Sequence, residues 1–302
     1  KDFILDTIVQ DEIFALGGND EIETTNGDDI IHGDAGIDKL IINRSSDYED
    51  IPFFLQSYDN YSGDGNLEVS LSGIPNYSYI SFYSIEKFEF FAGSGNDSID
   101  TNNYYSDDRV NAGAGNDYIS TGHGFDLVNG GYGFDLLNLD FSNNYTGVTS
   151  QLTNPGQGQG EYVSDESVTG FSNIEAVNVI GSQYDDVLVG FAVESYWSDS
   201  SVFPVSPMVD GGMGFDELVL DYSQSNQDLG IQINADYAAA PPMTSLDVLD
   251  NSGFIKSLDF NNIEAFEITT GRGDDDIELG YDNYSDDRVN AGAGNDYIST
   301  GH

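Results

Sequence analysis

Aspartate recurs with a period of nine along residues 103–138, which cut into NYYSDDRVN, AGAGNDYIS, TGHGFDLVN and GGYGFDLLN. The sixth place holds Asp108, Asp117, Asp126 and Asp135, the eighth holds Val110, Ile119, Val128 and Leu137, and small residues crowd the first four. Carboxylates repeated this way are hard oxygen donors, the ligands a calcium ion takes. Two of them about 4 Å apart repel by roughly 4 kcal/mol at an effective dielectric of about 20. A stack of such groups is therefore disfavoured until a divalent ion sits between them. Turn formation alone would accept asparagine or serine at the sixth place, yet aspartate is kept in nearly every copy. Zinc is a poor fit, since it seeks nitrogen or sulfur and the chain has no cysteine.

Nine residues are too few for a helix–turn–helix unit and match a turn plus a short strand. Glycine permits the tight turn, the eighth-place side chain points inward, and the carboxylate stays on the turn beside bare carbonyls. A second run, DTIVQDEIF, ALGGNDEIE, TTNGDDIIH and GDAGIDKLI, places Asp11, Asp20, Asp29 and Asp38 at the sixth position, the first copy being degenerate enough to act as a cap. Single or broken copies add Asp97, Asp186, Asp216, Asp275, Asp287 and Asp296, with a two-residue slip at Thr101 and Asn102 and a three-residue slip before Asp287.

These nonapeptides resemble the hemolysin-type calcium-binding (RTX) repeat, G-G-x-G-x-D-x-U-x with U a large apolar residue. The copy Gly130–Asn138 fits every fixed position, whereas 103–111 keeps only its aspartate and valine. The resemblance implies an all-β fold, a right-handed parallel β-roll or β-helix solenoid with two nonapeptides per coil. It also implies several calcium ions held between stacked turns by the sixth-place aspartates and by turn carbonyls, here those of the fourth-place Gly18, Gly27, Gly36, Gly95, Gly115, Gly124 and Gly133.

Between the runs the period fails. Alternating stretches such as NLEVSLS and YSYISFY, and shorter ones around Val148–Leu152 and Glu161–Val163, read as half-buried strands. The chain thus divides into calcium-roll segments 1–41, 92–138, 181–219 and 270–302, the third carrying an excursion with Trp197, Pro204 and Pro207. They are interleaved with β-rich insertions at 42–91, 139–180 and 220–269. The second and third open on LDFS and LDYS, all three close on SIE or NIE, and they could equally widen the solenoid or form small sandwiches beside it. Ile85, Ile174 and Ile263, each followed by glutamate, are evenly spaced, and Tyr105–His123 recurs residue for residue as Tyr284–His302. A segment plus an insertion is one unit, and two units make a super-repeat.

With 54 acidic residues against 8 basic and a net charge of −46, nucleic acid and anionic membrane surfaces are excluded as partners. The 38% of hydrophobic and 13% of aromatic residues are too many for a solvated tail. The two facts agree if cations neutralise charge on folding. No apolar run is long enough to span a membrane. The start at Lys1 without a leader and the end at His302 inside a repeat suggest a window cut from a longer protein. His32, His123 and His302 read as turn residues, and with no HExxH, G-x-S-x-G or P-loop spacing no enzyme is expected. Tyr58, Tyr61, Tyr77, Tyr79 and Tyr83 read as strand packing sooner than as a sugar-binding surface.

The expected function is a calcium-dependent structural or adhesive module of a large secreted repeat protein at the bacterial cell surface, exported by a type I system. Its partners would be calcium, further copies of itself or cell-surface glycans. The alternative is the calcium-binding C-terminal region of a type I-secreted enzyme or toxin.

Overall fold

The computed structural model describes residues 1–5, 10–24, 27–57, 64–70, 77–102, 106–194, 208–236, 243–251, 253, 255–280 and 286–300. Trp197, Pro204, Pro207, Tyr58, Tyr61 and His302 lie outside them. The described residues are almost wholly strand and turn, the one helical piece among them being a 3-10 turn at Pro155–Gln157. They fall into two compact units, Lys1–Asn138 with Glu166–Ile174, and Leu139–Asp165 with Glu175–His302.

In the first unit successive nonapeptide strands alternate between two sheets. One runs Phe3–Leu5, Glu21–Thr24, Lys39–Asn43, Lys87–Phe91, Asp107–Ala114, Phe125–Tyr132, Val168–Ser172, all parallel. The other begins Glu12–Phe14, Ile30–His32 and resumes after an insertion as Ser98–Asp100, Tyr118–Ser120, Leu136–Asp140. Parallel pairing needs a crossover, and here the crossover is the strand of the opposite sheet. The register sets like on like: Ile13 faces Ile31, Ile22 faces Leu40, Val110 faces Val128, and Ile99 faces Ile119, which faces Leu137. Ile22, Ile31, Leu40, Ile99, Ile119 and Leu137 are fully buried between the sheets. Fully burying such a side chain contributes about 1.5–3 kcal/mol. The eighth-place column is thus the core, and no coil could bury it alone.

The insertions widen this roll. Strands Pro52–Ser57, Gly65–Ser70 and Tyr77–Tyr83 form an antiparallel meander whose outer members pair in parallel with Ser98–Asp100 and Ile30–His32. Phe53 opposes Ile99 and Phe82 opposes Ile31, so phenylalanines take over the apolar column. They pack edge-on against the next sheet, Phe82 on Phe88 at 5.0 Å and Phe53 on Phe90 at 5.9 Å. The geometry excludes a separate sandwich, because the insertion strands hold places in the ladder.

The second unit repeats the plan. Its first sheet pairs the hairpin Thr149–Asn154 and Gln159–Val163 with Val187–Val189, then Glu217–Asp221, Ala265–Thr269 and Arg288–Asn290. Its second runs Ala176–Ile180, Met208–Asp210, Ile255–Asn261, Met243–Asp250, Leu229–Asp236, Asp276–Glu278, Tyr297–Ser299. The middle three strands are again an antiparallel meander within the sheet. Tyr162, fully buried, anchors the hairpin by donating its hydroxyl to the Val189 carbonyl at 2.7 Å.

Candidate metal centre

The turns that join the two sheets hold the acidic residues, and glycine decides how closely they stack. The fourth-place Gly18, Gly27, Gly36, Gly115, Gly124 and Gly133 have φ between 137° and 155°, a region L-residues avoid. A Cβ added to Gly36 would stand 1.4 Å from the Gly18 carbonyl oxygen, one on Gly133 1.6 Å from that of Gly115, and one on Gly115 1.9 Å from that of Gly95. Each fourth-place carbonyl therefore abuts the next coil, and only glycine fits there. Among the described residues the non-glycines at this place, Ser106 and Tyr184, begin new runs. The glycines that follow them, Gly124 and Gly214, restore the close approach, with Gly124 1.9 Å from the Ser106 oxygen by the same measure.

Beside this file of carbonyls runs a file of carboxylates. Where one nonapeptide stacks on another, the Oδ1 of the later sixth-place aspartate accepts the backbone N–H of its counterpart one coil earlier: Asp20 to Asp38 at 2.8 Å, Asp11 to Asp29 at 3.1 Å, Asp108 to Asp126 at 3.0 Å. The chain Asp97, Asp117, Asp135 is linked the same way at 2.7 and 2.9 Å. In the second unit Asp186 donates to Asp216 at 2.8 Å, and Asp275 to Asp296 at 3.0 Å. The sequence separations of these pairs are 18, 20, 21 and 30 residues, so the slips and the excursion are absorbed without loss of the contact.

The second carboxylate oxygen carries the chemistry. Asp20, Asp38, Asp97, Asp108, Asp117, Asp126, Asp216 and Asp275 are at most 2% exposed, and the Oδ2 of each has no hydrogen-bond donor. A buried anion without a partner costs several kcal/mol, so it must take up a proton or a cation. Burial accordingly pushes the carboxyls up: Asp117 to about 9, Asp126 to about 8, Asp216 to about 7, Asp97 and Asp108 to about 6. Neighbours in the file add to it, Asp135 and Asp97 acting on Asp117, and Asp108 on Asp126. Among the described residues no three Asp, Glu or His side chains gather at one point. A cation here would meet carboxylate oxygens from adjacent coils together with turn carbonyls. That donor set, hard and oxygen-only, fits calcium.

The family described as RTX calcium-binding nonapeptide repeat (4 copies) matches residues 10–40, 104–141 and 272–301. These segments are RTX calcium-binding nonapeptide repeats. A search of curated proteins finds no match to the chain. The structure extends the RTX geometry beyond the matched segments, since Asp97, Asp186 and Asp216 stand in the same files of buried carboxylates.

The proposed RTX ligands differ in setting. Asp29 Oδ2 is taken by the Thr24 hydroxyl at 3.0 Å, and Asp186 Oδ2 by the Ser182 N–H at 2.6 Å. Asp287 and Asp296 are half-buried, and Asp287 accepts the Phe266 N–H at 3.1 Å. Asp186 and Asp216, isolated in sequence, are stacked neighbours. His32 is not a turn residue: it lies on a strand, sandwiched between Phe14 at 4.4 Å and Tyr83 at 4.9 Å.

Two carboxylates escaped the nine-residue pattern. Glu86 Oε2 accepts the Asp38 N–H at 2.8 Å, and Glu264 Oε2 accepts that of Asp216 at 2.9 Å. Both stand in the Ile-Glu pairs that close the insertions, so the even spacing of those pairs was the available signal.

Proposed function

We propose that the chain is a calcium-rigidified structural or adhesive module of a large secreted repeat protein at the bacterial cell surface. The carrying observation is that buried carboxylates with a free oxygen recur along both units and persist on either side of the insertions. Such files give a scaffold whose folding is tied to calcium all along its length. Low calcium inside a cell would leave the chain loose for export, and millimolar calcium outside would close it. At free calcium ten times the dissociation constant each site adds roughly 1.4 kcal/mol by mass action, so half a dozen sites decide whether the chain folds. The 179-residue super-repeat, with its identical stretch of side chains, suits reach or polymerisation better than catalysis.

The test is circular dichroism and small-angle scattering of this chain with calcium and with chelator. A gain of β-signal and a fall in radius on adding calcium supports the reading, and an unchanged profile sinks it. The second reading, a calcium-binding region attached to a secreted enzyme or toxin, rests on the family's range. It is decided by the flanking sequence, where a catalytic motif favours the enzyme and further super-repeat copies favour the fibre.

A further inference from the structure

The turns that close the insertions differ from nonapeptide turns and do the same work in fewer residues. Ser84-Ile85-Glu86 and Asn262-Ile263-Glu264 each begin with a left-handed residue, φ 55° at Ser84 and 51° at Asn262. Each follows a strand-end carbonyl that accepts the first-place N–H of the coil before: Gly33 to Tyr83 at 2.9 Å, Gly211 to Asn261 at 3.0 Å. The Asp38 carbonyl then accepts the N–H groups of both Glu86 and Lys87 at 3.1 Å, and the Asp216 carbonyl those of Glu264 and Ala265 at 2.9 and 3.0 Å. The glutamate thus arrives where a sixth-place aspartate otherwise stands. Its extra methylene makes up the reach lost in the shortened turn, and its carboxylate takes the same backbone N–H.

The oxygens around this point repeat too. A Cβ on Gly33 would lie 2.1 Å from the Ser84 carbonyl oxygen and 2.8 Å from Asp38 Oδ2, and one on Gly211 2.1 Å from the Asn262 oxygen and 2.6 Å from Asp216 Oδ2. At an ordinary step, Gly181, the same construction meets the Gly211 carbonyl and Asp186 Oδ2, each at 2.4 Å. The insertion step therefore presents the donor pair of a nonapeptide step, with a glutamate carboxylate in the place of the next coil's aspartate. Asp38 and Asp216 are at most 1% exposed, and the Oδ2 of each has no donor.

We propose that two of the three Ile-Glu turns each complete a further calcium site, formed by Asp38 Oδ2, the Ser84 carbonyl and Glu86 in one unit and by Asp216 Oδ2, the Asn262 carbonyl and Glu264 in the other. Each unit then carries its calcium file across the insertion that lies within it, 42–91 in the first and 220–269 in the second. This rests on the calcium reading above.

The experiment is an ion count on the 302-residue chain by calorimetry and native mass spectrometry, using calcium chloride alone. Glu86→Gln and Glu264→Gln keep an acceptor for the aspartate N–H and remove the charge. Each should bind one calcium fewer than the parent, and the double variant two fewer. Glu86→Asp, one methylene shorter, should lose the same ion. A parent that binds calcium and variants that bind the same number overturn this inference and leave the general reading standing. A parent that binds none removes both. Should Glu86→Gln fail to fold in calcium, Glu264→Gln, in the other unit, carries the same count.

Discussion

Asp117 shows at one residue how a carboxylate can be both a defect and a device. It is fully buried, its Oδ1 holds the Asp97 N–H at 2.7 Å, and its Oδ2 has no donor. Asp117→Asn keeps the first bond and removes the charge. In chelator at pH 8 the variant should be more stable than the parent to urea by about 1–3 kcal/mol, because the parent has to take up a proton at this carboxyl in order to bury it and asparagine does not. In saturating calcium it should be less stable, by roughly 1.4 kcal/mol for each site lost at tenfold excess. Equal effects of the same sign in both conditions would rule out a cation-dependent role for this carboxylate. The pH dependence follows from the same burial. Asp117 and Asp126 titrate near 9 and 8 in the cation-free fold, against about 3.9 for an unfolded aspartate. The folded chain then binds more protons than the unfolded one between these values, so stability falls as pH rises through them. Calcium-free samples should melt lower at pH 8 than at pH 5, the difference being at least about 3 kcal/mol. Calcium addition at pH 7 should release protons, measurable as a buffer-dependent heat.

At the scale of the element, the stacked turn depends on what is missing from glycine. Gly133 combines φ 140° with a carbonyl 1.6 Å from where its Cβ would be, whereas Gly253 has φ 80° and open space around it. Gly253→Ala should cost about 1 kcal/mol, the backbone strain alone. Gly133→Ala forces two coils apart and should cost about 4 kcal/mol or more, with loss of calcium affinity; thermal unfolding in calcium separates the two. The turn-and-strand element was legible in sequence because its period is fixed by stacking: sixth-place aspartate, eighth-place Ile, Leu or Val. The strands of the insertions were legible as well, Gly65–Ser70 and Tyr77–Tyr83 falling on NLEVSLS and YSYISFY. Their place inside the roll was not. Alternation says which face of a strand is buried and nothing about which strand lies beside it. Only the pairing of Phe82 with Ile31 and Phe53 with Ile99 reveals that the meander continues the apolar column. Glu86 and Glu264 were hidden for a related reason, since a shorter turn with a longer side chain reaches the same point without keeping the period.

For the whole molecule the question is whether the −46 charge acts as a diffuse field or through its buried files. General repulsion among exposed carboxylates is screened by any salt, the Debye length falling to about 3 Å at 1 M. The Oδ2 atoms of Asp20, Asp38, Asp97 and Asp117 are out of reach of that atmosphere, being without exposed surface. Sodium chloride and calcium should therefore not be interchangeable. In chelator, sodium chloride raised to about 1 M should restore only a small part of the β-signal. Calcium at about 10 mM, tenfold above the weak end of extracellular sites, should restore it fully. Magnesium makes a sharper control, because it holds its water and demands octahedral oxygens at about 2.1 Å. Carbonyls and carboxylates fixed by backbone stacking cannot rearrange to that shell. Magnesium at the calcium concentration should then behave like sodium, and a chain that folds equally well in all three salts would be governed by its overall charge, with the buried files left as protonated acids.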